Sequence, residues 1–126
     1  MTTAGRKAAD KAIAALEKQA RAYPGSNDAL SCNNVAFKTG RKSFLFLGVR
    51  EDEIILRFKL NASLPEAQAL AAKEPSQFEA GKGGWVKATL PRDEAPPKGL
   101  LSRWTEESFR LMATKKLLAE HDAPSA

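Results

Sequence analysis

The sequence predicts an α+β domain: one antiparallel sheet of four to five strands flanked by N-terminal, middle and C-terminal helices. Three observations carry that expectation. Apolar residues recur at helical spacing near both ends of the chain. Between them lie short runs rich in aromatic and branched residues, one of them alternating with a clean period of two. A glycine cluster, Gly81-Lys82-Gly83-Gly84, then leads into a further strand-like run from Trp85 to Leu90. At 126 residues the chain has the size of one domain spanning 1–126, with 1–5 and 122–126 expected to fray. A domain of this size buries roughly two-thirds of the surface its unfolded chain exposes, enough for a core without staples.

Residues 6–22 read as the first helix, with Ala9, Ile13, Leu16 and Ala20 on one face and Lys11, Glu17, Lys18 and Arg21 free to meet water. Tyr23-Pro24-Gly25 ends it, because proline cannot continue the hydrogen-bond ladder and glycine accepts a left-handed turn. Ser26-Asn27-Asp28 reads as a turn or cap opening a single helical turn to Cys32. Strands are expected over Val35–Lys38, Ser43–Val49 and Glu53–Leu60, joined by linkers short enough for hairpins. In the last of these, Ile54, Leu56, Phe58 and Leu60 share one face, and Ile55, Arg57 and Lys59 the other.

Ser63-Leu64-Pro65-Glu66 matches a capping box and opens a helix to about Lys73, closed by Glu74-Pro75. Gln77 to Ala80 is a short strand that turns through the glycine cluster into Trp85–Leu90. A proline-rich connector, Pro91 to Gly99, precedes one long helix from Leu100 to about His121. Its stripe is traced by Leu101, Trp104, Ser108, Leu111, Met112, Lys115 and Leu118.

Composition narrows the function classes. Cys32 is the only cysteine, so no intramolecular disulfide can form, and a reducing cytoplasm is the expected location. The N-terminal residues run into a charged helical pattern with no apolar stretch of the kind a signal peptide carries. The longest apolar block, Phe44–Val49, is far too short to span a bilayer, so no membrane partner is expected. The formal charge is +5, of which residues 1–50 carry +6 and the rest −1. A basic first half attracts phosphate backbones or anionic surfaces, and equally serves as a solubilising coat.

The sequence offers little chemistry of catalysis. Gly81–Gly84 differs from a phosphate-binding loop, since Lys82 is not followed by Ser or Thr and a strand follows instead of a helix N-terminus. Cys32 and His121 are single representatives of their types, with His121 near an end expected to fray. That disfavours a nucleophile–base pair, and Cys32 reads as a small core hydrophobe. No zinc ligand set exists, and no cofactor is expected. Glu51, Asp52 and Glu53 in a turn, and Glu106-Glu107 on a helix, read most simply as solvated charges.

The candidate functional residues are basic and aromatic. Arg57, Lys59, Lys87 and Thr89 share an exposed sheet face if the strands pair antiparallel, and Trp85 has the parity of Lys87. Lys38, Arg41 and Lys42 flank them from the first hairpin, and Lys82 projects from the glycine turn. An aromatic beside cations can stack a base while the cations neutralise phosphates. The plainer reading has Trp85 filling the core and the lysines keeping a sheet face wet.

Residues from about Val35 to Leu118 resemble the MmcQ/YjbR family of small bacterial proteins. The likeness rests on Phe37 before the Gly40-Lys42-Phe44 hairpin, on Trp85-Val86 in a late strand, and on the tail Trp104-Thr105-Glu106-Glu107-Ser108-Phe109-Arg110 with its acidic-Ser-aromatic core. It implies a compact fold of antiparallel sheet and flanking helices, related to the double-wing arrangement, and the DNA-binding label that members commonly carry. The chain departs from the pattern at Gly83-Gly84, where a polar or His-bearing turn is common.

The expectation is therefore a monomeric, non-enzymatic domain that binds DNA non-specifically through a basic sheet face. A module that binds protein or a metabolite is the alternative. With neither disulfide nor zinc to hold the fold, thermal melting should be the same with and without a reductant or a chelator. A fall of several degrees with chelator would contradict this, because structural zinc contributes folding energy directly.

Overall fold

In a computed structural model, which describes residues 3–31, 34–97 and 99–123, the chain begins with helix α1 (Thr3–Ala22). Four strands follow: β1 (Ser26–Ser31), β2 (Asn34–Thr39), β3 (Lys42–Val49) and β4 (Glu53–Lys59). Helix α2 (Leu64–Lys73) leads to β5 (Phe78–Ala80), a 3-10 turn over Lys82–Gly84, and β6 (Trp85–Pro91). Helices α3 (Leu100–Met112) and α4 (Lys115–Asp122) complete the described chain. The strands form one antiparallel sheet in the order β1-β2-β3-β4-β6-β5. The fold is thus α+β as the sequence predicts, with six strands rather than four to five. Among the described residues, no helix is long and apolar enough to cross a membrane.

Helix α1 buries Ala9, Leu16 and Ala20 and packs Ile13 against them. It starts at Thr3, inside the stretch expected to fray. Its end is held by side-chain chemistry: the Ser26 hydroxyl donates to the Ala20 carbonyl at 2.7 Å. Ser26 opens an edge strand, not the helical turn that the polar cluster suggests. Ser26–Ser31 pairs residue by residue with β2, and the Asn27 amide donates to the Gly25 and Gly40 carbonyls. The polar sequence hid this strand because an edge strand needs backbone pairing and no apolar alternation; its Leu30 side chain is 87% exposed. Cys32, expected in the core, lies outside the described residues.

Strand β4 alternates cleanly. Ile54, Leu56 and Phe58 are buried, as is Leu60 just beyond it, while Arg57 is exposed. Strand β3 does not alternate cleanly, since Phe44 and Leu45 are both fully buried and Phe46 turns to the opposite face. The extra residue is a bulge, where the register against β2 shifts between Phe37 and Lys38.

The helices cover one face of the sheet only. Trp104 of α3 is fully buried, with Phe58 and Phe78 edge-on at 5.7 and 6.0 Å. Phe109 stacks on Tyr23 at 4.2 Å, and Phe44 meets both rings edge-on. The C-terminal stretch is two helices instead of one. The Thr114 side chain caps α4 by accepting from the Leu117 N–H, which lets the chain turn and lay His121 against Tyr23 and Phe109, each 5.1 Å between ring centroids. The buried arc of α3 centres on Trp104, Thr105 and Ser108, so Phe109 lies within it and Leu111 at its margin, 40% exposed.

The capping box at Ser63 does not form either. Its hydroxyl and N–H, together with the Asn61 N–H, donate to Glu107 of α3 at 2.6, 3.1 and 2.7 Å. One carboxylate thus takes the place of another, and Glu107 collects three donors where Glu66 in a capping box would collect one. Glu66 is free to accept from Arg103 and from the Trp104 indole N–H.

Replacing Trp104 by Ala should cost about 3–5 kcal/mol, read from chemical denaturation. Leu111→Ala should cost less than about 1 kcal/mol. Equal losses at the two positions would contradict this placement of the core.

Candidate nucleic-acid interface

The face of the sheet turned away from the helices is assembled by strand parity. In an antiparallel pair, directly opposed residues share a face. The register of β4 against β6 opposes Lys59 to Trp85, Arg57 to Lys87 and Ile55 to Thr89. On either side of the Arg57–Lys87 pair, Phe46 of β3 opposes Arg57 and Glu79 of β5 opposes Lys87. Arg57 and Glu79 are exposed, and Phe46, Lys59, Trp85 and Lys87 are half-buried. Trp85 therefore lies on the outer face and not in the core. Its ring centroid is 5.7 Å from that of Phe46, and the Lys59 ammonium lies 5.9 Å from the Trp85 centroid. Lys59 also donates to the Gly83 carbonyl.

That hydrogen bond depends on the glycine turn. Gly84 has φ 83°, and its carbonyl accepts from the Leu60 N–H at 2.8 Å. A Cβ at Gly84 would stand 2.5 Å from the Leu60 carbonyl oxygen, so only glycine lets the turn close against the end of β4. Beside Trp85, a hollow of about 360 Å³ is lined by Arg57, Glu79, Gly81, Val86 and Lys87. Arg57, Lys87 and Glu79 have no ion-pair or side-chain hydrogen-bond partner among the described residues.

The eight basic and aromatic residues singled out in the sequence are thus only partly brought together. Arg57, Lys59, Trp85 and Lys87 form one contiguous patch. Lys38, opposed to Ser43, shares the face but lies farther along the sheet. Lys42 opposes Thr39, whose side chain is buried on the helix side, so strand parity places Lys42 on the other face, where it is exposed at the hairpin end. Arg41 is exposed in the hairpin turn and Lys82 in the 3-10 turn. Phe46 belongs to the patch but was not singled out. Within the unbroken apolar run Phe44–Val49 its outward parity is hidden, and the bulge at Phe44 sets it.

On the helix side, Glu106 and Glu107 are not the freely solvated charges the sequence suggests. Glu106 accepts from Tyr23 at 2.9 Å, from Arg110 at 2.6 Å, and contacts His121 Nε2 at 2.9 Å; Gln19 in turn donates to the Tyr23 oxygen. Arg110 also binds Asp122, so neither His121 nor Asp122 belongs to a frayed end. Burial pushes the Glu106 carboxyl up, but the hydrogen bonds from Tyr23, His121 and Arg110 outweigh it and hold it below its ordinary value. Burial likewise opposes the bonds from Ser63 and Asn61 at Glu107, and again the bonds prevail. Arg103, followed by the Trp104 indole, lowers Glu66. Tyr23 is pushed upward, chiefly by burial. Between α1, α3 and the 61–63 turn lies a second, wider hollow of about 670 Å³, with Leu111 at its rim.

The two regions differ in chemistry. The helix-side carboxylates Glu66, Glu106 and Glu107 hold internal partners, whereas the outer face offers cations, Arg57 and Lys87, with no ion-pair partner among the described residues, beside an aromatic ring. Among the described residues, no group of three His, Cys, Asp or Glu side chains is placed to hold a metal ion.

The depressed carboxyls have a consequence for stability. Their folded-state values lie below the ordinary 4.5, so as pH falls the unfolded chain takes up protons first. The stabilisation is complete above about pH 4.5 and is lost as pH drops through the folded values. Melting temperature should therefore be level above that pH and fall below it. In Glu107→Gln the neutral-pH stability should drop by about 1–2 kcal/mol and the acid-side fall should shrink. An unchanged acid profile in that variant would show that Glu107 does not carry it.

No family model matches the chain, and no curated protein matches it. A solved structure is similar to it: the Deinococcus radiodurans protein DR2400, a DUF419 domain, superposes with a TM-score of 0.66 at 21% identity over 89% of this chain and 88% of that one. At this identity the likeness shows the fold alone.

Proposed function

We propose that this is an MmcQ/YjbR-type domain, monomeric, cytoplasmic and without catalytic activity, that binds nucleic acid non-specifically through the open face of its sheet. The observation that carries the reading is the pairing of Arg57 with Lys87 and of Lys59 with Trp85 across β4 and β6. Two cations without partners among the described residues sit next to an aromatic ring, the combination that holds phosphates and stacks bases. The family part is supported by the likeness to a DUF419 domain, a domain grouped with MmcQ/YjbR-like proteins. The double-wing analogy follows from that family part. Lys38 and Lys82 extend the positive surface toward the ends of the sheet, and Arg41 and Lys42 add charge at the tip of the β2–β3 hairpin.

A protein- or metabolite-binding module is the second reading. It is favoured by the 670 Å³ hollow with the half-exposed Leu111 at its rim.

Fluorescence anisotropy with labelled DNA at two or more salt concentrations separates the two. Phosphate-driven affinity should fall steeply with salt. In Arg57→Ala/Lys87→Ala the slope of log K against log salt should shrink by up to about 0.9 for each phosphate no longer neutralised. Folding should change by no more than about 0.5 kcal/mol per site. A folded double variant that binds as the parent does would exclude this face. Absence of binding by the parent at low salt would leave the interaction-module reading.

A further inference from the structure

We propose that the nucleic acid held by this face is an unpaired strand, one base of which enters the hollow beside Trp85 and stacks on its ring. The inference rests on the nucleic-acid reading above and narrows it to a substrate class. In the sheet, β6 lies between β4 and β5. On the β4 side the Trp85 ring is propped by Phe46, at 5.7 Å, and by the Lys59 ammonium, at 5.9 Å. Lys59 is itself tied to the Gly83 carbonyl. Next to the ring lies the hollow, walled by Arg57 of β4, by Glu79 of β5 and by Gly81, Val86 and Lys87. A ring already held by two neighbours and bordering a hollow needs little further ordering when a planar ligand arrives.

Size and charge select what enters. The hollow, about 360 Å³, is at the small end for ligand sites, with room for one base and its sugar. The Glu79 carboxylate lines it without a cationic partner among the described residues and repels a phosphate there, but can accept from a base N–H. Arg57 and Lys87 are two residues along their strands from Lys59 and Trp85, about 7 Å away. They place the phosphates at the rim while the base goes inside, all within the reach of one nucleotide. A duplex presents only base edges in its grooves. It cannot offer a ring face to Trp85 without unstacking. An unpaired strand offers one at every base, and stacking of this kind tolerates sequence.

The test is a low-salt titration of the full chain with a single-stranded oligonucleotide of about 12 nucleotides and with the duplex of the same sequence. Anisotropy gives affinity and tryptophan emission gives stacking. Trp104 is fully buried, so a change in emission reports Trp85, which is half-exposed. The single strand should bind at least tenfold tighter than the duplex and quench the emission. Trp85→Ala should lose between about fivefold and a hundredfold in single-strand affinity with little change for the duplex. Trp85→Phe, which keeps a ring, should retain most of the single-strand binding, and so separates stacking from any loss of folding in the alanine variant. Duplex binding as tight as single-strand binding, without quenching, would overturn the unpaired-strand inference and leave the phosphate-binding face standing. Binding of neither at low salt would remove both.

Discussion

The hydroxyl of Ser108 makes the hydrogen bonds on which the rest of the structure depends. It is fully buried, accepts from the Lys59 N–H at 2.8 Å, and donates to the Phe44 carbonyl. These are backbone groups of two neighbouring strands, beyond the last directly opposed pair, Leu45 and Phe58. The helix therefore supplies the bond that the strands no longer make to each other. A buried backbone donor or acceptor left without a partner costs about 1–3 kcal/mol, so one hydroxyl offsets two such penalties. It also stabilises the bulge, which turns Phe44 and Leu45 inward and Phe46 outward.

The neighbours of Ser108 extend the same function to other elements. Glu107 gathers the N–H groups of the 61–63 turn, and Phe109 stacks on Tyr23 at the end of α1. Three consecutive residues thus tie α3 to the α2 entry, to the sheet and to α1. This gives a physical reason for the acidic-Ser-aromatic run in the tail: each side chain leaves the helix in a different direction and meets a different partner. Glu106 extends the set by joining Tyr23, Arg110 and His121, which folds α4 back over the aromatic cluster. Charge here serves architecture. Each carboxylate is satisfied internally, and no buried side-chain nitrogen or oxygen among the described residues lacks a hydrogen bond.

The same hydroxyl also touches the strands that carry the opposite face. Lys59, whose N–H is held by Ser108, faces Trp85 across the sheet. Phe46, set outward by the bulge, supports the same ring. A single helix residue on the covered side thus holds the backbone of Lys59, whose side chain joins the cation–aromatic patch on the open side. Placing the patch on strands rather than loops keeps its spacing fixed.

Local pattern alone determined a good deal. The clean alternation of Ile54 to Lys59 assigned each residue of β4 to its face, because a period of two leaves no other arrangement with one face buried. The placement of Arg57 and Lys59 followed directly, and Trp85 and Lys87 joined them once the strands paired antiparallel. Helices α1 and α2 were legible for the analogous reason. What only tertiary structure decided was wherever a long-range partner overrode the local signal. Ser63 surrendered its cap to Glu107, because Glu66, the carboxylate that would have closed the box, is engaged by Arg103 and Trp104 of another helix. Ser26–Ser31 became a strand because β2 offered it a ladder, and Phe109 took the buried place expected of Leu111 because the Tyr23 ring waited on that side of α3. The outward turn of Phe46 required a bulge that no run of apolar residues announces. Periodicity records which side of an element is buried, but not which distant group will satisfy each polar atom, and that choice is made only when the chain closes on itself.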